Sequence, residues 1–174
     1  TKIVLLHKFF SEKVMSKKLS VIIPAYNEAK HIQNILQKVC DVKLPDEIHT
    51  ELVVVDDGSA DETGLRVKEF IANHPQQDIR LIIHETNRGK GAGIRTALQY
   101  VTGDYTVIQD GDEELDPNDF VPMLQKMLNE DLSVLYGSRF LSNDRKAASC
   151  TFYFGNKVLA FVANLLYGQH ITDE

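Results

Sequence analysis

The feature that most constrains this chain is a repeated alternation between short, continuously apolar runs and amphipathic stretches. Leu19–Pro24, Leu52–Asp56, Ile79–His84, Tyr105–Gln109 and Leu132–Tyr136 read as strands. Their apolar character is unbroken rather than alternating, which suits strands covered on both faces of a parallel sheet. Between them come helical stripes. Ile32, Ile35, Leu36 and Val39 share one face, Ile94, Ala97, Leu98 and Val101 another, and Phe120, Met123, Leu124, Met127 and Leu128 a third, entered through Pro117. A further helix opens with Ser59 and Glu62 at capping-box spacing. Phe152–Tyr167 reads as a last, mostly apolar helix. The pattern predicts an α/β, Rossmann-like domain with a mostly parallel central sheet flanked by helices. The length of 174 residues suits one such domain. Residues 1–18 read as a weakly attached N-terminal extension and residues 19–174 as the domain proper.

Charge and cysteine usage remove several function classes. The formal net charge is −6, and the first 18 residues carry five lysines against Glu12 alone, leaving the rest more acidic still. A basic footprint for nucleic acid is therefore absent. Cys40 and Cys150 stand far apart with no ligand cluster beside them, and read as free thiols of a reducing compartment. The apolar run Val158–Tyr167 is interrupted by Asn164 and too short to span a bilayer. A cytoplasmic protein, or one resting on the cytoplasmic face of a membrane, is the expectation. The six histidines show no ligand spacing and read as structural or surface residues.

In open α/β sheets, ligands sit at the carboxyl ends of the strands. Here every strand ends in unusual polar residues: Tyr26-Asn27-Glu28, Asp56-Asp57-Gly58-Ser59, Asn87 to Gly91, Asp110-Gly111-Asp112, and Gly137-Ser138-Arg139. Asp110, Asp112 and Glu114 place three carboxylates at alternate positions, which suits either a solvated acidic turn leading into the helix at Pro117 or a hard cation such as Mg²⁺ or Mn²⁺, and their place directly after a buried strand favours the metal. An EF-hand is excluded, because it needs Gly at 115 and Glu at 121, where Leu115 and Val121 stand. Asp56 or Asp57 alone would suit a turn. Two successive acids leave one carboxylate over, able to accept hydrogen bonds from a nucleobase or ribose. Asn27 reads as a helix N-cap. The glycine-rich stretch around Lys90 is not a Walker A loop, which needs Gly at 84 and Ser or Thr at 91 instead of His84 and Gly91. The dinucleotide fingerprint fails too, at Ile94 and Thr96. A cationic loop feeding a helix N-terminus remains, which can neutralise phosphate.

Together, Val21 to Glu28, Val53 to Ser59, Asn87 to Gly91, Gln109 to Asp112 and Tyr136 to Phe140 closely resemble the motifs of family 2 glycosyltransferases. The nearer resemblance is to the branch that uses polyprenyl phosphates. It covers residues 19–174 in the same order. The resemblance implies a GT-A fold, a UDP- or GDP-linked sugar donor, a divalent metal (Mg²⁺ or Mn²⁺) and a lipid-phosphate acceptor at a membrane surface. Carried over by motif, it assigns the nucleoside to Pro24, Tyr26, Glu28, Val55 and Asp57. Asp110, Gly111 and Asp112 contact diphosphate and metal, Glu114 adds a metal ligand, and Arg139 lies between donor and acceptor phosphates. Asp112 and Arg139 are the implied catalytic residues. Gly111 replaces the alanine usual at that place. The chain ends at Glu174 where relatives continue, so the catalytic domain reads as C-terminally truncated. The alternatives are a soluble or polysaccharide acceptor, or a non-catalytic nucleotide-sugar-binding module. The apolar Phe152–Tyr167 stretch reads as a core helix, with an interfacial face for a lipid-linked acceptor as its alternative.

Overall fold

The computed structural model describes residues 3–7, 17–45, 48–111 and 115–137. Asp112, Glu114, Arg139 and the helix expected over Phe152–Tyr167 lie outside the described residues. In chain order the elements are β1 (Ile3–His7), β2 (Lys17–Ala25), α1 (Ile32–Asp41), β3 (Ile48–Asp56), α2 (Thr63–Asn73), β4 (Asp78–Ile83), α3 (Lys90–Ala97), β5 (Tyr105–Ile108), a 3₁₀ turn (Pro117–Asp119), α4 (Phe120–Glu130) and β6 (Val134–Gly137). The strands form one sheet in the order β4-β3-β2-β5-β1-β6.

The expected parallel core is present. β2 pairs in parallel with β3, Val21 opposite Leu52, and with β5, Val21 opposite Val107. β3 pairs in parallel with β4, Val54 opposite Leu81. Leu19, Val21, Ile22 and Ile23 are all completely buried, as strands covered on both faces require. The α1 stripe of Ile32, Ile35, Leu36 and Val39 is buried as its spacing indicates. Phe120, Leu124 and Met127 do the same for α4. Each such side chain withdrawn from water stabilises the fold by about 1.5–3 kcal/mol before entropy is counted.

Several boundaries differ from the sequence reading. Within the expected extension, Ile3–His7 pairs antiparallel with β5, Leu5 opposite Val107, and Lys17 already belongs to β2. The apolar Ile3-Val4-Leu5-Leu6 run satisfies backbone groups along β5 that would otherwise form an open edge. β3 begins at Ile48, because its polar start pairs with Lys17–Ser20. α3 begins at Lys90 and ends at Ala97, so Leu98 is not in its buried stripe and stands 44% exposed. Its buried face is instead Ala92, Gly93 and Ala97, small residues that let the helix approach the sheet closely. A Cβ on Gly93 would lie 3.5 Å from Pro24 Cβ and 3.8 Å from Val55 Cγ1.

Two compact units are delimited by contacts, Val4–Leu135 and a second made of Thr1–Ile3 with Tyr136–Glu174. The described site residues, from Pro24 to Gly111, belong to the first. No described helix is long and apolar enough to cross a membrane.

Candidate active site

Topology fixes where a ligand can bind. The chain steps outward from β2 to β3 to β4, then returns through α3 to β5 on the other side of β2. The order therefore reverses between β2 and β5, and the crevice outside their carboxyl ends is the topological switch point. The loops leaving β2, β3 and β5 carry Pro24 to Glu28, Asp56 to Asp61 and Gln109 to Gly111.

The first two of these loops are locked together. Asn27 takes a left-handed conformation (φ 57°), which asparagine tolerates better than most residues. Its Oδ1 accepts from Ala60 N at 2.9 Å, and its own N–H donates to Ser59 Oγ at 2.9 Å. Glu28 N donates to Thr63 Oγ1 and Ala29 N to Asp61 Oδ2. Asn27 is thus a bridge between loops rather than an N-cap, and α1 begins only at Ile32. The capping box expected from Ser59 and Glu62 does not form either. Ser59 is occupied by Asn27, and Asp61 Oδ1 accepts from Thr63 N where α2 begins. Between these anchors the Tyr26 ring stands 46% exposed, presented to solvent on a fixed backbone. Val55, by contrast, is completely buried in a strand paired on both sides, opposite Pro24 and Ile82.

Asp56 and Asp57 divide the work of the second loop. Asp56 Oδ1 accepts from Ser59 N at 3.0 Å, the turn role open to either acid. Asp57 is 3% exposed and gathers donors from the loop after β4. Its Oδ1 is 2.6 Å from His84 Nδ1, both oxygens accept from Arg88 N, and Oδ2 accepts from Gly89 N at 2.7 Å. Burial acts to raise the Asp57 carboxyl, but hydrogen bonds from His84, Arg88 and Gly89 together hold it below its ordinary value. Gly58 makes this convergence possible. It has φ 70°, and a Cβ there would lie 2.5 Å from the carbonyl carbon of Thr86.

His84 is the site residue that reading by ligand spacing misses. It is 9% exposed, and its Nε2 lies 2.9 Å from Thr96 Oγ1 on α3, so one ring ties Asp57 to the helix. The usable signal is positional, since His84 directly follows an apolar run. A cleft of about 370 Å³ opens beside it, lined by His84, Arg88, Ala92, Arg95, Thr96 and Gln99. Arg88 and Arg95 bring two guanidinium groups to this cleft, between the end of β4 and α3.

At the end of β5, Gln109 is completely buried. Its Nε2 donates to the carbonyls of Asp110 (3.1 Å) and Leu115 (3.2 Å), pinning both ends of the acidic segment. Asp110 is 6% exposed and forms an ion pair with Lys90 Nζ from the start of α3. A Cβ on Gly111 would lie 3.3 Å from Glu28 Cγ, so the β2 and β5 loops meet face to face. Among the described residues no group of three or more acids, cysteines or histidines gathers around one point. Asp110 nevertheless fits a hard divalent cation. It is a buried carboxylate at the switch point and already holds a stand-in positive charge, the Lys90 ammonium. Pro24, Tyr26, Glu28, Asp57, Asp110 and Gly111 therefore share one end of the sheet, with Asp112, Glu114 and Arg139 outside the described residues.

Residues 20–149 match the model of glycosyl transferase family 2. A dolichyl-phosphate beta-glucosyltransferase of Dictyostelium discoideum is 31% identical over 164 residues, 88% of this chain and 47% of that protein. A UDP-N-acetylglucosamine–dolichyl-phosphate N-acetylglucosaminyltransferase of Methanococcus voltae is 32% identical over 90% of this chain and 66% of its own length. This chain thus spans about half to two thirds of those relatives. Among solved structures, a mannosyltransferase from Pyrobaculum calidifontis in complex with GDP-Man and Mn²⁺ is similar at 31% identity. Its TM-score is 0.58, over 66% of this chain and 33% of that one.

Proposed function

The chain belongs to glycosyl transferase family 2 and has a GT-A type of fold; from that premise we propose that it transfers a hexose from a UDP- or GDP-linked donor to a polyprenyl phosphate, with inversion. The observation that carries the reading is Asp110, a buried carboxylate at the end of β5, next to Gly111, which abuts Glu28. Relatives named for dolichyl-phosphate transfer support the acceptor, and the similar structure holding GDP-Man and Mn²⁺ supports donor and metal.

In the proposed reaction an oxygen of the acceptor phosphate attacks the anomeric carbon. The bond from that carbon to the donor diphosphate breaks, and its electron pair leaves with the nucleoside diphosphate. The acceptor is anionic near neutral pH, so no strongly basic side chain is required. Tyr26, on its locked backbone, offers a platform for the nucleoside. Asp57 shapes the neighbouring loop by holding Arg88 and Gly89, and contributes the polar floor there. Asp110, with Asp112 and Glu114 from the same segment, would hold Mg²⁺ or Mn²⁺. Such a cation supplies charge neutralisation for the departing diphosphate. Arg139, outside the described residues, would supply positive charge to the phosphates, and its planar fork suits that task better than lysine.

The test is transfer from radiolabelled UDP-glucose, UDP-N-acetylglucosamine and GDP-mannose to dolichyl or undecaprenyl phosphate in detergent, with organic extraction of the product. One donor should label the lipid fraction, and chelation should stop it. Label reaching only a soluble glycan, with both lipids present, would move the acceptor assignment elsewhere. Donor binding without any transfer would favour a binding module.

A further inference from the structure

The ion pair between Lys90 and Asp110 is unlike the other contacts of the site. Asp57 is held by backbone amides and a buried imidazole, and Asp56 by a backbone amide within its own turn. Asp110 is held by an ammonium from the first residue of α3, on a side chain 53% exposed, while its own side chain is 8% exposed. Lys90 opens α3 between Gly89, at φ 86°, and Gly91. A lysine head is a compact, hydrated point charge on a flexible four-carbon stem, suited to release its partner without disturbing the backbone.

We infer that Lys90 is the resident counter-cation of Asp110: it neutralises the carboxylate when no divalent metal is bound, competes with that metal for the same oxygens, and turns to the nucleoside diphosphate once displaced. The inference rests on the metal reading of Asp110 given above. Its physical basis is charge balance. A carboxylate buried at a strand end needs a positive partner, and two cations cannot share its Oδ1 cheaply. The displaced ammonium stays at the first turn of α3. A diphosphate arriving with metal meets it there, together with the positive end of the helix. Metal alone must displace Lys90 without compensation, whereas metal with nucleotide gives the lysine a new anionic partner. Each ligand therefore strengthens the other, by the same factor in either order of addition.

The experiment is titration of the full chain with Mn²⁺, following the electron-paramagnetic-resonance signal of the free ion, with and without UDP or GDP. Lys90→Met removes the competitor, so it should bind Mn²⁺ alone about two- to tenfold more tightly than the parent chain. It should also bind nucleotide in saturating Mn²⁺ more weakly, by a similar factor. Lys90→Arg, whose fork grips a carboxylate more firmly, should shift the affinity for Mn²⁺ alone the opposite way. Thermal melts establish that each variant is folded. Mn²⁺ binding that Asp110→Asn abolishes but Lys90→Met leaves unchanged or weaker would overturn the role of Lys90 while leaving the metal reading in place. Mn²⁺ binding that Asp110→Asn leaves unchanged would overturn the metal reading itself, and the inference with it.

Discussion

Glu51 and Asp110 are both buried carboxylates of the same sheet, and the contrast between them separates structure from function. Glu51 lies toward the amino end of β3, 5% exposed, and is surrounded by short-range donors. Ser20 Oγ, Thr102 N, Thr102 Oγ1 and Gly103 N all donate to it, and Lys18 Nζ approaches to 3.5 Å. Burial acts to raise this carboxyl, yet the hydrogen bonds and the Lys18 charge hold it below its ordinary value. Gly103 seals the arrangement, since a Cβ there would lie 2.5 Å from Ser20 Oγ. Asp110, at the carboxyl end of β5, leans on the half-exposed ammonium of Lys90. A carboxylate wrapped in backbone and hydroxyl donors is committed to the fold. One balanced by a long, solvated cation is available for exchange. Asp57 stands between these extremes, fully engaged like Glu51, but by a loop that borders the site.

The contrast makes graded predictions. Asp110→Asn should lower transfer by about 10²–10³, the usual cost of an essential electrostatic contact. Its unfolding free energy should move by less than about 1 kcal/mol, since the pair it loses is half-exposed. Glu51→Ala should do the reverse. It strands the donors of Ser20, Thr102 and Gly103 in a buried setting and should cost about 2–4 kcal/mol in a urea melt. Donor affinity measured below its melting temperature should stay the same. Gly58→Ala should blur the division, because it strains the backbone and pushes on Thr86 at once. A loss of about 1–3 kcal/mol is expected, accompanied by weaker nucleotide binding as the Asp57 loop shifts.

The smallest effect concerns pH. Glu51 and Asp57 are both depressed in the folded chain, from ordinary values of 4.5 and 3.8. Their contribution to stability is therefore complete above those values, and is lost as pH falls through them toward the lower folded ones. Urea midpoints across the acid range should decline more gently for Glu51→Gln than for the parent chain. An identical slope would remove Glu51 from the account.

Much of the fold is legible in the sequence, because continuous apolar runs and helical stripes are local patterns. The rule that ligands gather at strand ends located Tyr26, Glu28, Asp57 and Asp110 together. What escaped is non-local. Ile3–His7 pairs with a strand about a hundred positions away, and no local pattern announces it. Asn27 and Ser59 each carried a plausible local capping role, yet tertiary contact between two loops claimed both. The apolar stripe Ile94, Ala97, Leu98 and Val101 points too far along the chain for α3, whose buried face is Ala92, Gly93 and Ala97, with Gly93 close to Pro24 and Val55. His84 has no ligand spacing to mark it. Its role depends on Asp57 and Thr96, which are distant in sequence and adjacent only in the fold.

The division of labour between the two ends of the sheet is tested most directly by calorimetric titration of UDP and GDP in the presence of Mn²⁺. Asp110→Asn and Glu51→Gln are run beside the parent chain, each with its thermal melt. Asp110→Asn is expected to melt like the parent and lose metal-dependent nucleotide binding, while Glu51→Gln melts lower and binds like the parent. Metal-dependent binding retained by Asp110→Asn, or lost by folded Glu51→Gln, would contradict it.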